Sequence, residues 1–101
     1  MELVYTVGAI YKGEWKNNQM IGFGIVIYND DKIYTGEMEN GLMDGYGEFY
    51  WGNEGKKYFG FYKDDLKQGL GVYVWNFDPI EAYMGFWEKG TMAGLGIRVK
   101  E

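Results

Sequence analysis

The sequence predicts an all-β fold: an elongated, curved single sheet of tandem antiparallel β-hairpins. Three observations predict it. Aromatic residues make up 20 % of the 101 residues, and 17 residues are glycine. Large rings and bare backbone enriched together point to a sheet in which rings lie over glycines. One motif recurs four times at a nearly constant period, the mark of a repeat architecture. Between the glycines run β-branched and aromatic stretches, such as Ile25-Val26-Ile27-Tyr28 and Val72-Tyr73-Val74-Trp75, that read as strands.

Taken in order, residues 1–10 read as an N-terminal cap strand. Leu3 to Val7, ahead of Gly8, resembles the second half of a hairpin. The four repeats start at Tyr11, Tyr34, Tyr58 and Tyr83, spaced by 23, 24 and 25 residues. Two residues after each Tyr comes Gly13, Gly36, Gly60 or Gly85. Four residues after it comes Trp15, Met38, Tyr62 or Trp87. These alternate positions point to one face of a first strand. Asn18, Gly41, Asp65 and Gly90 follow, residue types that tolerate the positive φ of a short hairpin loop with a bulge. The second strand opens with Gly-x-Gly: Gly22 and Gly24, Gly45 and Gly47, Gly69 and Gly71, Gly94 and Gly96. A glycine inside a strand marks a close approach, expected here to be a Tyr or Trp ring from a neighbouring strand. In the last strand Arg98 and Lys100 replace apolar residues, which blunts the edge against further pairing. The whole reads as a single domain over 1–101, with helix content near zero.

Tyr-x-Gly-x-Trp followed by Gly-x-Gly at this period resembles the MORN repeat (membrane occupation and recognition nexus), over roughly Tyr11 to Lys100. The resemblance implies an elongated groove that accepts peptides or helices. It also implies a non-enzymatic scaffold in cytoskeletal, ciliary (axonemal) or membrane-associated assemblies. The chain departs from the family pattern ahead of Gly-x-Gly. Met20-Ile21, Met43-Asp44 and Met92-Ala93 stand where basic residues are common, which weakens a lipid-binding role.

Composition closes most routes to catalysis. The sequence has no His, no Cys and no Ser. That removes the usual nucleophiles, the usual general base and the soft metal ligands. No catalytic residue, metal site or cofactor is expected. Glu14 and Glu37 share a repeat position and are expected near each other on a solvated strand face. Asn29-Asp30-Asp31 lacks the alternation and closing Glu of a calcium loop and reads as a polar turn. The Gly-x-Gly pairs lack the third glycine and following helix of a dinucleotide site, and Gly55-Lys56-Lys57 lacks the spacing and hydroxyl of a P-loop. The net charge of −5 disfavours nucleic acid and anionic lipid. No run is long and apolar enough for a membrane helix. The absence of cysteine fits an intracellular protein, and the family analogy implies a cytoplasmic, cytoskeletal or ciliary one.

A difference between copies locates the candidate binding residues. Opposite the Tyr/Gly/Trp side, the first two repeats carry Lys12 and Glu14, then Thr35 and Glu37. The last two carry Phe59 and Phe61, then Met84 and Phe86. The expected partner-binding set is therefore Phe59, Phe61, Met84 and Phe86, with Tyr62 and Trp87. Tyr11, Trp15, Tyr34, Tyr58 and Tyr83 form the framework. The expected partner is another protein: a peptide, a helix, an assembly subunit or a second copy of the chain. The alternative is a peripheral phosphoinositide-binding module.

Overall fold

A computed structural model describes residues 2–6 and 8–101. Among them are nine strands: β1 (Glu2–Thr6), β2 (Ala9–Lys16), β3 (Gln19–Tyr28), β4 (Lys32–Glu39), β5 (Leu42–Trp51), β6 (Lys56–Lys63), β7 (Leu66–Phe77), β8 (Ile80–Glu88) and β9 (Thr91–Lys100). The described residues contain no helix. The strands form one sheet in chain order, each antiparallel to the next. Nine strands about 4.8 Å apart span about 40 Å. The long axis of the molecule measures 44 Å, so the sheet stays open and does not close into a barrel. The predicted run Leu3–Val7 overlaps β1; Val7 itself lies outside the described residues. β2 starts at Ala9, inside the stretch assigned to the cap.

The hairpin loops are tighter than predicted. Two residues suffice, both at positive φ: Asn17 and Asn18, Asn40 and Gly41, Asp64 and Asp65, Lys89 and Gly90. This is the type I′ geometry that matches strand twist. Only Lys89 is of a type that seldom adopts it. Its N–H donates to Gln68 Oε1 at 3.0 Å. The second loop residue also latches each hairpin to the one before. Gly41 N donates to Met20 O, Asp65 N to Met43 O and Gly90 N to Lys67 O, at 2.9–3.0 Å.

The bulge lies within the strands, away from the loop. In the second repeat Asp44, Gly45 and Tyr46 stand opposite the single residue Glu37. The third repeat sets Gln68, Gly69 and Leu70 against Phe61. The first glycine of each Gly-x-Gly takes the positive φ this needs, from 62° at Gly94 to 98° at Gly45. Two extra residues keep the alternation in phase, so each face keeps its identity along the strand.

The remaining glycines line up. Gly13, Gly24, Gly36, Gly47, Gly60, Gly71, Gly85 and Gly96 are successive cross-strand partners. They form a bare furrow across eight strands. Tyr34, Tyr58 and Tyr83 lie down in it, each covering the glycine of its own strand and the one opposite. A β-carbon on Gly47, Gly71 or Gly96 would collide with the respective ring. In the first repeat Met20 Cε fills this place over Gly13 and Gly24. For Gly47, Gly71 and Gly96 the visitor is the expected tyrosine ring from the neighbouring strand; for Gly36, Gly60 and Gly85 it is the tyrosine of the same strand, and for Gly13 and Gly24 it is Met20. Each tyrosine hydroxyl then donates to the carbonyl three residues on: Tyr34 to Glu37 at 2.8 Å, Tyr58 to Phe61 at 3.0 Å, Tyr83 to Phe86 at 3.4 Å. Those carbonyls belong to the residues opposite the bulges.

Gly71→Ala is expected to destabilise the fold by about 1–3 kcal/mol, because the Tyr58 ring is forced off its seat. Tyr58→Phe, which keeps the ring and loses the hydrogen bond, is expected to cost about 1 kcal/mol. Urea unfolding midpoints of the two variants check the order; an equal or reversed ranking would refute the furrow as the packing constraint.

Candidate interaction surface

The sheet has two unlike faces. On the furrow face, cross-strand partners give a row of Tyr11, Val26, Tyr34, Phe49, Tyr58, Tyr73, Tyr83 and Arg98. Tyr34 and Tyr58 are fully buried, and Met20, Met38, Tyr62, Tyr83 and Trp87 join them in the core. The rings meet edge to face: Tyr34–Tyr62 at 5.6 Å, Tyr58–Trp87 at 5.5 Å, Tyr83–Trp87 at 5.6 Å. Such pairs add to the burial of their area. Trp87 Nε1 donates to Gly71 O at 3.3 Å. Arg98 places its guanidinium 4.8 Å from the Trp75 ring centroid, and Lys100 pairs with Glu81 at 3.7 Å. Arg98 therefore extends the aromatic row as well as charging the edge strand, while Lys100 is held by a carboxylate.

The framework residues all lie on this face. Tyr34, Tyr58 and Tyr83 are buried as described, while Tyr11 and Trp15 are half-buried and meet edge to face at 6.3 Å. Trp15 Nε1 is buried with no partner among the described residues. Tyr62 and Trp87, grouped above with the partner-binding residues, are each 5 % exposed. They are core, because their rings close over neighbouring tyrosines and they point away from Phe61 and Phe86.

The other face carries the candidate surface. One row runs through Phe23, Glu37, Tyr46, Phe61, Leu70 and Phe86, and the next through Glu48, Phe59, Val72, Met84 and Ile97. Phe61, Met84 and Phe86 are exposed, as are Tyr46, Leu70, Leu95 and Ile97; Phe59 and Val72 are half-buried. Tyr46 and Phe61 meet edge to face at 5.8 Å. The predicted four therefore share one surface, and the second strands add the residues between them. The period-2 alternation announces these additions. A hollow of about 510 Å³ borders the patch, lined by Ile33, Thr35, Glu48, Tyr50, Lys57 and Phe77. Nothing in the repeat pattern announces it, since Phe77 ends β7, which runs two residues longer than the other second strands and pairs Phe77 with Ile80.

Glu14 and Glu37 act separately, with β3 between them. Glu37 Oε2 accepts the N–H of Tyr46 at 2.6 Å and covers Gly45; Glu14 covers Gly22. Phe61 takes this position in the third repeat, its Cβ beside Gly69. The same backbone bulge is thus covered by a carboxylate in the first two repeats, bordered only by the Phe61 Cβ in the third, and left open at Gly94 in the fourth.

Burial sets the electrostatics of the furrow face. It pushes the Tyr58 hydroxyl up to about 12, against the hydrogen bond to Phe61 that lowers it, and raises Tyr34 and Tyr62 further. Five lysines on or near the surface are held by acids: Lys32–Asp30, Lys56–Glu54, Lys57–Glu48, Lys63–Asp44 and Lys100–Glu81.

A single open sheet whose hairpins share one glycine furrow defines a tandem hairpin-repeat module. The family model of the MORN repeat matches residues 11–32, 34–56, 58–76 and 83–100. The chain belongs to the MORN-repeat family, whose repeats are non-catalytic modules that build protein- and membrane-binding scaffolds. A comparison with curated proteins returns no match.

The raised tyrosines make stability depend on pH in one direction. Each binds its proton more tightly folded than unfolded, where it titrates near 10.0. Their contribution is therefore complete below pH 10 and is lost as pH rises through the folded values. Stability is expected to fall steeply above about pH 10, with tyrosinate absorbance of the buried rings appearing together with loss of the β-sheet spectrum. Ionisation of all ten tyrosines in the intact fold would contradict the buried placement.

Proposed function

We propose that this chain is a non-enzymatic scaffold module that docks a segment of a partner protein on the exposed face of β5 to β9. The observation that carries the reading is the contiguous apolar patch of Tyr46, Phe61, Leu70, Phe86, Met84 and Ile97, where half or so of each side chain remains in water. Patches of this kind mark interaction sites, and aromatic residues and methionine are the types that populate interface cores. The neighbouring hollow at Ile33, Tyr50 and Phe77 offers a seat for one anchoring side chain.

By analogy with the family, the partner belongs to a larger intracellular assembly, cytoskeletal or ciliary. The charge pattern supports a protein over a phosphoinositide surface. Net charge is −5, and five of the ten cationic side chains are already paired with acids. Too few cations remain to gather anionic headgroups. A second copy of the chain is one form such a partner can take.

Phe61→Glu with Phe86→Glu tests the reading. Glutamate is the residue that repeats one and two already carry at this position, so the fold tolerates it. The double variant is expected to retain its β-sheet spectrum and lose partner capture from native extract. Undiminished capture by the folded variant would refute docking on this face, and flotation with anionic liposomes that falls with salt would favour the lipid alternative.

A further inference from the structure

Position 67 breaks a pattern on the furrow face. The residue two places before the first glycine of Gly-x-Gly is Met20, Met43 and Met92 in three repeats, and Lys67 in the third. Met20 is buried, filling space over its glycines. Lys67 projects the same way, because its strand partner is Tyr62, and its ammonium enters a box of four rings. Nζ lies 5.8 Å from the centroid of Trp51, 5.4 Å from Tyr58, 5.6 Å from Tyr73 and 5.6 Å from Trp87. No carboxylate pairs with Lys67 among the described residues.

The box is built before the lysine arrives. Tyr58 and Trp87 form its buried floor, and the rings brace one another, Trp51–Tyr73 at 5.5 Å and Tyr58–Trp87 at 5.5 Å. Its walls come from three repeats. The spacing is generous for a bare ammonium. A methyl carbon stands about 1.5 Å from its nitrogen. Methyl groups on Nζ would therefore lie about 4 Å from the ring faces, the contact distance of carbon on carbon. A bare ammonium leaves that shell unfilled by carbon and gives up part of its water as well. Burial lowers the Lys67 amine below the ordinary lysine range, consistent with a poorly compensated charge. A methylated ammonium keeps its charge, sheds water more readily and fills the shell. Such rings are the recognised receptor for methylated ammonium groups.

We propose that Lys67 is a site of Nζ-methylation, and that Trp51, Tyr58, Tyr73 and Trp87 form the cage that holds the methylated side chain. The half-buried lysine swings out on its flexible stem to meet a separate methyltransferase. The lone pair of the neutral amine attacks the methyl carbon of a sulfonium donor. An N–C bond forms, the C–S bond breaks, sulfur departs as a thioether and the amine proton passes to solvent. The product folds back between the rings and ties β7 to β5, β6 and β8. This site lies on the face opposite the docking patch, so it stands or falls independently of that reading.

The absence of cysteine makes the test specific. Lys67→Cys carries the only thiol and is alkylated in denaturant with bromoethylamine or with (bromoethyl)trimethylammonium, then refolded. The trimethyl form is expected to melt at the higher temperature, with its N-methyl proton signal displaced upfield by the rings. A methyl signal at the position of the free side chain, or a lower melting temperature, overturns the cage. Should the alkylated chains not refold, reductive methylation of the folded wild type places an N,N-dimethylammonium at Lys67, whose methyl signal is expected to show the same upfield displacement. Its assignment rests on loss in Lys67→Met, which restores the residue of the other repeats. Peptide mass spectrometry of the protein from its natural source is expected to show a methyl increment on Lys67, and an unmodified peptide overturns the modification.

Discussion

A tyrosine lying flat in a furrow of glycines is the constraint on which the rest of this sheet depends. A sheet one layer thick has no second layer to bury its apolar face. Here the rings supply that layer from within. Removing the side chains at Gly47, Gly71 and Gly96 lets the Tyr34, Tyr58 and Tyr83 rings sink onto the backbone. Each hydroxyl then reaches the carbonyl opposite a bulge. The polar tip finds its partner, and the ring body becomes the floor on which Tyr62 and Trp87 stand. Glycine inside a strand costs conformational entropy. The fold recovers that cost through ring burial that no side-chain-bearing strand would permit.

Most of the fold was legible in the sequence, because one unit repeated four times exposes its own rules. The alternation of Tyr, Gly and Trp assigned those residues to one face, and Asn, Asp and Gly at the same offset announced the turns. Two features stayed hidden. The bulge at Gly45 or Gly69 is a matter of register between strands, which spacing along one strand does not reveal. The burial of Tyr62 and Trp87 depends on rings from adjacent repeats closing over them, so it is a property of the array and not of the motif. The candidate patch was half legible. Phe59, Phe61, Met84 and Phe86 appear when copies are compared, whereas Phe77 joins the surface only through an extension of β7 that no other second strand shares.

The roof over the bulge shows how one backbone serves different surfaces. Glu37 satisfies the Tyr46 N–H and covers Gly45, a local structural task. Phe61 occupies the equivalent place and leaves about half of its ring in water. The bulge therefore places little demand on what roofs it, and the position is free to vary with the surface each repeat presents. The furrow admits no such freedom, since a side chain on its glycines would meet the tyrosine ring or Met20 lying over them, and at Gly36, Gly60 and Gly85 the backbone of the next strand as well.

The order of the strands carries a consequence for how the molecule yields. Every strand pairs only with its neighbours in the chain, and the loop of each hairpin is bonded to the carbonyl of the hairpin before it. Cooperativity in such an array passes from unit to unit. Tension applied between the two ends would load the hairpins in series, as links of a chain, and the weakest link would open first. A scaffold with this topology acts as a graded spring, lengthening one repeat at a time while the remaining repeats keep their surfaces intact.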